Sequence, residues 1–143
     1  MLFRSADVDI TYPTYTNVST SISGATDLNG RRDNFIGTLT GCTTEPTVNV
    51  EVYQQGNEIT LEFLGPLTAA SNSTACTITG LPSRYKPQAD TIGQLMVQDN
   101  GINSVRPAQV AAATGIITVG FGQTLTATGS KGVMGGTIRL RRA

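Results

Sequence analysis

The chain has 143 residues and a mass of 15.0 kDa, with ten basic and ten acidic side chains and no histidine. Balanced charge argues against nucleic-acid wrapping and membrane adsorption. The missing imidazole excludes His-based serine and cysteine triads, His-bearing zinc sites and an imidazole pH switch. At this length roughly 70% of the unfolded surface is buried around one core, so a single domain is expected.

From the N-terminus, Met1 to Ile10 carries Arg4, Asp7 and Asp9 where a signal peptide needs an apolar centre, so synthesis in a reducing cytoplasm is expected. Two short strands, Asp7 to Tyr12 and Asn17 to Ile22, are split by Pro13, and a polar stretch with Asp27, Arg31, Arg32 and Asp33 follows to Asn34. Such a segment buries too little apolar surface to offset its ordering entropy. Residues 1–34 therefore read as an extended N-terminal arm that crosses to another subunit or docks on a partner, with an edge strand added to its own domain as the alternative. Leu2, Phe3, Ile10, Tyr12 and Tyr15 are its candidate docking residues.

Residues 35–143 form the domain proper. The whole chain holds 22 Thr and 16 Gly and no Trp, a composition of strands and turns. Turn signals recur roughly every 8 to 12 residues, the spacing of an all-β sandwich or barrel. The one helix-like stretch, Pro107 to Ala113, is stopped by Thr114-Gly115. Phe35 to Thr40 is a strand. Val48, Val50 and Val52 then alternate with polar residues up to Gln55-Gly56, beyond which Ile59, Leu61 and Phe63 resume the alternation. A turn at Gln55-Gly56 sets Val52 opposite Ile59 and Glu51 opposite Thr60. A turn at Gly56-Asn57 would instead oppose Glu51 and Glu62, so charge favours the first register.

Cys76 to Thr79 is the next strand. Asn100-Gly101 supplies both positive-φ positions of a type I′ hairpin between Ile92 to Gln98 and Ile102 to Val105, with Met96 facing Val105. A third hairpin at Thr114-Gly115 sets Val110 opposite Val119. Leu125 to Ala127 and Thr137 to Arg141 complete the set, with Gly132 to Gly136 read as a tight loop before the last strand. The expected fold is all-β: a jelly-roll-like antiparallel β-sandwich of two facing sheets, preceded by the arm.

No catalytic, cofactor or metal site is expected. Glu58 and Glu62 share a strand face and, near Glu51 or Asp99, have the composition of a glycosidase pair, but solvated strand faces carry such residues routinely. Asp99-Asn100-Gly101 lacks the alternating ligands and distal glutamate of a calcium loop. Gly132 to Gly136 lacks the lysine and helix of a phosphate loop. The basic clusters, Arg4, Arg31 and Arg32 with Arg139, Arg141 and Arg142, lack the interleaved aromatics of a nucleic-acid patch, and the apolar stretches are too short to insert in a membrane. Cys42 and Cys76 are too few for a disulfide framework and are expected to be reduced and buried. The sequons Asn17-Val18-Ser19 and Asn72-Ser73-Thr74 have no role outside a secretory pathway.

The succession Gly37-Thr38-Leu39-Thr40-Gly41-Cys42-Thr43-Thr44-Glu45-Pro46-Thr47, Gly56-Asn57-Glu58-Ile59-Thr60-Leu61, Ile78-Thr79-Gly80-Leu81-Pro82, Val97-Gln98-Asp99-Asn100-Gly101 and Thr126-Ala127-Thr128-Gly129-Ser130-Lys131-Gly132 resembles a β-rich domain common in tailed-bacteriophage fibre and virion-surface proteins. It covers about three-quarters of the chain, from Phe35 onward. The resemblance implies a structural virion protein, often a homotrimer, assembled in the host cytoplasm. It brings no catalytic residues. On this basis the chain is expected to be a short tail fibre or collar appendage, docked by its arm on other virion proteins of the tail, collar or capsid and presenting the sandwich to a host glycan or receptor. A capsid head decoration protein is the alternative. A carbohydrate-binding module or glycosidase is the second.

Overall fold

The computed structural model describes residues 30–71 and 73–143. These form nine strands: β1 (Arg31–Thr40), β2 (Thr47–Gln55), β3 (Glu58–Leu64), β4 (Leu67–Ala70), β5 (Cys76–Thr79), β6 (Thr91–Asp99), β7 (Ile102–Val110), β8 (Ile117–Val119) and β9 (Ser130–Arg141). A single 3₁₀ turn, Ser83–Tyr85, lies between β5 and β6. Among the described residues no helix is long and apolar enough to cross a membrane.

The strands run β3-β2-β1-β5-β8-β7-β6-β9, and β9 pairs back onto β3, so eight antiparallel strands close into a barrel. The all-β expectation stands, but the two facing sheets of a jelly-roll-like sandwich are replaced by one continuous ring. Closure depends on the Gly-rich segment before Thr137, which is strand interior and not the expected loop. The first part of β9 pairs with β4, Leu67 opposite Val133, and the second with β3, Leu61 opposite Ile138, while β6 runs along its other side. At the changeover Gly135 and Gly136 adopt φ of +140° and +133°, and the β6–β9 register slips between Met96 and Val97. This bulge bends the strand from one partner to the next.

Alternation fills the interior. Along β2 the residues Val48, Val50, Val52 and Gln54 point inward, and along β3 Ile59, Leu61 and Phe63 do the same. With Leu39, Ile78, Leu95, Val97, Val110, Ile117 and Ile138 they form one core, each large aliphatic side chain contributing about 1.5–3 kcal/mol by its burial. Threonines serve the outside of the same pairs: Thr40 and Thr77 lie opposite each other on β1 and β5 and their hydroxyls hydrogen-bond at 2.5 Å.

The Asn100-Gly101 hairpin forms as expected, with φ of 53° and 80° and Met96 opposite Val105. The first hairpin adopts the disfavoured register: Val52 faces Leu61, and Glu51 faces Glu62. Both registers bury the same residues, so the turn decides. Gly56, at φ +61°, takes the first central position of a Gly-Asn turn, where a type II′ geometry calls for glycine. The Glu51–Glu62 opposition is tolerated because it lies on the wet face, where water and salt screen it. The third hairpin is also shifted by two, with Val110 opposite Ile117. Its loop is wider than two residues, because the Gly115 N–H reaches back to the Ala111 carbonyl, one uncontinued helical turn. Leu125 to Ala127 is a buried-anchor loop and no strand. β1 begins at Arg31, so Arg31 to Asn34, assigned above to the arm, pair with Glu51 to Gln54 of the barrel.

Gly132 packs so tightly on β4 that a Cβ there would lie 1.8 Å from the Leu67 carbonyl oxygen, whereas a Cβ at Gly56 meets nothing within 4 Å. Gly132→Ala is expected to detach β4 and lower stability by roughly 1–3 kcal/mol, as overpacking does. Gly56→Ala carries the backbone strain alone, so denaturant melts of the two variants should separate them.

Candidate functional site

The outer surface over β1, β2, β3 and β9 carries two adjoining depressions of about 280 and 480 Å³, which share Arg32, Tyr53, Thr60 and Glu62. Strand register builds them. Arg32 lies opposite Tyr53, Tyr53 opposite Thr60, and Thr60 opposite Arg139, giving one straight row across four strands. Two residues along, Asn34, Glu51, Glu62 and Thr137 form a parallel row by the same pairings. The first row offers donors and an aromatic ring, and the second mainly acceptors.

Tyr53 is the centre of this belt and is 40% exposed. The Arg32 guanidinium stands 6.0 Å from its ring centroid. Gly30 passes so close to the phenol that a Cβ would lie 2.1 Å from its oxygen, so glycine at that position leaves the ring its place. Arg32 also approaches Glu51 at 4.0 Å, a solvated pair that orders the side chains weakly.

Of the carboxylates weighed as an acid–base set, Glu58 and Glu62 line the larger depression together and Glu51 joins Glu62 in the smaller, while Asp99 is buried elsewhere. Arg139 joins the belt; Arg141 lies opposite Glu58 beside it. Among the described residues no three His, Cys, Asp or Glu side chains converge as metal ligands. The candidate docking residues Leu2, Phe3, Ile10, Tyr12 and Tyr15 lie outside the described residues. Sequence reasoning missed Tyr53, Thr60 and Arg32 as a group. Their shared strand faces were legible by alternation, but their alignment needed the register.

Asp99 belongs to an ionic cluster at one end of the barrel. Lys131, 1% exposed and directly across from it on β9, approaches at 3.3 Å, and Arg106 at 3.2 Å. The Thr126 N–H and hydroxyl also donate to Asp99, and Lys131 donates to the Thr128 carbonyl. Burial alone would raise the Asp99 carboxyl, but the Thr126 N–H and Lys131 outweigh it and hold the group below the ordinary value of 3.8. At the other end, the Tyr85 hydroxyl and the Arg84 guanidinium donate to Asp33, which is held well below the usual carboxylate range by these bonds. Cys76 is buried and Cys42 half-buried, both are free thiols, and burial together with the neighbouring Cys42 pushes the Cys76 thiol up to about 12.

No protein-family model matches the chain, and no curated protein is significantly similar to it in sequence. Solved structures do match. A reovirus attachment protein, sigma1, in complex with alpha-2,3-sialyllactose, superposes with a TM-score of 0.53 and 16% identity over 80% of this chain and 67% of its own. The C-terminal receptor-binding domain of the avian reovirus fibre sigmaC gives 0.57 and 12% identity in two crystal forms, over 78% of this chain and 74% or 77% of that one. The chain has their fold. At these identities the likeness is one of architecture.

Both low-lying carboxylates contribute stability that is present above the ordinary aspartate value and lost as pH falls through their depressed folded values. Melting temperature is therefore expected to hold from neutral pH to about 4, so far as these two groups determine it, and to fall below that. Asp99→Asn should lessen the acid-dependent fall. Lys131→Met, which leaves the buried Asp99 carboxylate with Arg106 as its one remaining cation among the described residues, is expected to destabilise at neutral pH by at most the roughly 3–5 kcal/mol that breaking a buried pair costs. An unchanged melt in Lys131→Met would remove the cluster as a stabilising element.

Proposed function

We propose that this chain is the receptor-binding head of a virion attachment protein, borne by a tailed bacteriophage as a short tail fibre or collar appendage. The observation that carries the reading is the closed antiparallel barrel, shared over about four-fifths of the chain with a viral attachment protein and with the receptor-binding domain of a fibre. The bacteriophage assignment draws on the run of threonine- and glycine-rich motifs between Gly37 and Gly132. The segment before the barrel docks on other virion proteins, and the barrel faces the host. The domain acts by binding and carries out no catalysis.

We further assign the functional unit as a homotrimer. Exposed apolar side chains fall on two different sides of the barrel: Ile36 and Leu64 on β1 and β3, and Ile92, Met96 and Val105 on β6 and β7. A cyclic trimer joins unlike surfaces of successive subunits, and two such sites are what it requires.

Purified chain added to host cells ahead of the virus is expected to reduce virion adsorption; unimpaired adsorption at saturating protein would overturn the attachment reading. Light scattering should return about three times 15.0 kDa, and Met96→Glu combined with Val105→Glu should return the monomer mass. A wild-type chain that stays monomeric at micromolar concentration contradicts the trimer and leaves the attachment reading to the adsorption assay.

A further inference from the structure

We infer that the belt across β1, β2, β3 and β9 is a binding site for an uncharged oligosaccharide, held between the Arg32–Tyr53–Thr60–Arg139 row and the Glu51–Glu62 pair. The inference rests on the attachment reading and names the surface and ligand class that serve it.

Shape is the first argument. The four-strand row spans three inter-strand spacings, about 14 Å, and the rows lie two residues, about 7 Å, apart along the strands. That makes a long shallow trough, open to solvent, suited to an extended chain of sugar rings. Depressions of about 280 and 480 Å³ fall near the lower end of ligand sites, and they are continuous through Tyr53 and Thr60.

Chemistry is the second. A sugar presents hydroxyls that donate and accept at once, together with apolar ring faces. The belt meets them with guanidinium donors, carboxylate acceptors, a threonine hydroxyl, and a tyrosine ring at the centre. Glu51 and Glu62, opposed across neighbouring strands, are mutually repelled in the free protein. Donation from vicinal hydroxyls would relieve that repulsion, a term that favours the bound state specifically. A protein partner is less suited to this trough, since among the described residues only Tyr53 of the exposed large hydrophobic side chains lies in its lining, and Ile36, Leu64, Ile92, Met96, Ile102 and Val105 do not.

Charge selects among sugars. Two cations, Arg32 and Arg139, line the depressions against four anions, Asp33, Glu51, Glu58 and Glu62, a local balance of 2 − 4 = −2. Asp33 is already engaged by Arg84 and Tyr85, which leaves three carboxylates facing two guanidinium groups. With Arg141 opposite Glu58 on the rim the trough offers an anionic chain no net attraction, and a sialyl carboxylate or a sulfate would face the Glu51–Glu62 pair, whereas a neutral chain meets no such repulsion.

The test uses the full chain on an array carrying neutral, sialylated and sulfated oligosaccharides, followed by calorimetry on the strongest neutral ligand and its sialylated analogue. The neutral ligand is expected to bind at least tenfold more tightly, with little dependence on salt. Thr60→Arg, which fills the middle of the trough from an outward-facing strand position, and Tyr53→Ala should each weaken it at least tenfold while circular dichroism stays unchanged. Tighter binding of the sialylated ligand overturns the ligand class, and undiminished binding by folded Thr60→Arg overturns the location. If no glycan on the array is bound but wild-type chain still competes for virion adsorption, the carbohydrate inference fails and the attachment reading survives. If glycan binding behaves as expected but adsorption is not competed, the site stands and the attachment reading fails.

Discussion

The structure depends on one bent strand. β9 must lie beside β4 at its start, β3 at its end and β6 along its other edge, and no flat strand meets all three. Gly132 permits the close approach of β4, and Gly135 and Gly136 supply the positive-φ kink that redirects the chain toward β3. Without that turn the β3 edge would remain open, with unpaired backbone groups available for association with another sheet. Closure instead satisfies those groups internally and encloses one core.

The two ends of the barrel are secured differently from its wall. Asp99, Lys131, Arg106 and Thr126 hold the loop after β8 against the β6–β7 hairpin end, and Asp33, Tyr85 and Arg84 tie the start of β1 to the 3₁₀ turn. Apolar side chains face inward at most interior positions of the strands, so charged groups are confined to the ends and the outer face.

That wall is uneven. Over β1, β2, β3 and β9 it is polar, concave and aromatic at its centre, with Ile36 and Leu64 exposed in the next row on β1 and β3, and on the far side it exposes Ile92, Met96 and Val105 on β6 and β7. The proposed self-assembly and ligand binding call for surfaces of both kinds, one apolar and one rich in hydrogen-bonding groups. The belt and the β6–β7 apolar side lie apart because closure sets β2 and β7 on opposite sides of an eight-strand circuit.

The sequence by itself determined the class of fold, most of the strands and the faces they bury, because alternation and turn residues are local properties. Asn100-Gly101 specifies its hairpin from two residues, and the even-numbered valines of β2 mark the interior without reference to any partner. It did not determine register where two alignments buried the same side chains: Glu51 faces Glu62 because Gly56 prefers the first turn position, a backbone preference that outweighs a screened repulsion. Nor did it reveal Lys131 as a buried cation, since that required Asp99 of β6 to arrive beside it. Barrel closure and the Arg32–Tyr53–Thr60–Arg139 row were decided by tertiary structure alone. Both depend on pairings between strands distant in the chain, and sequence periodicity fixes which way a side chain points but not which strand lies next to it.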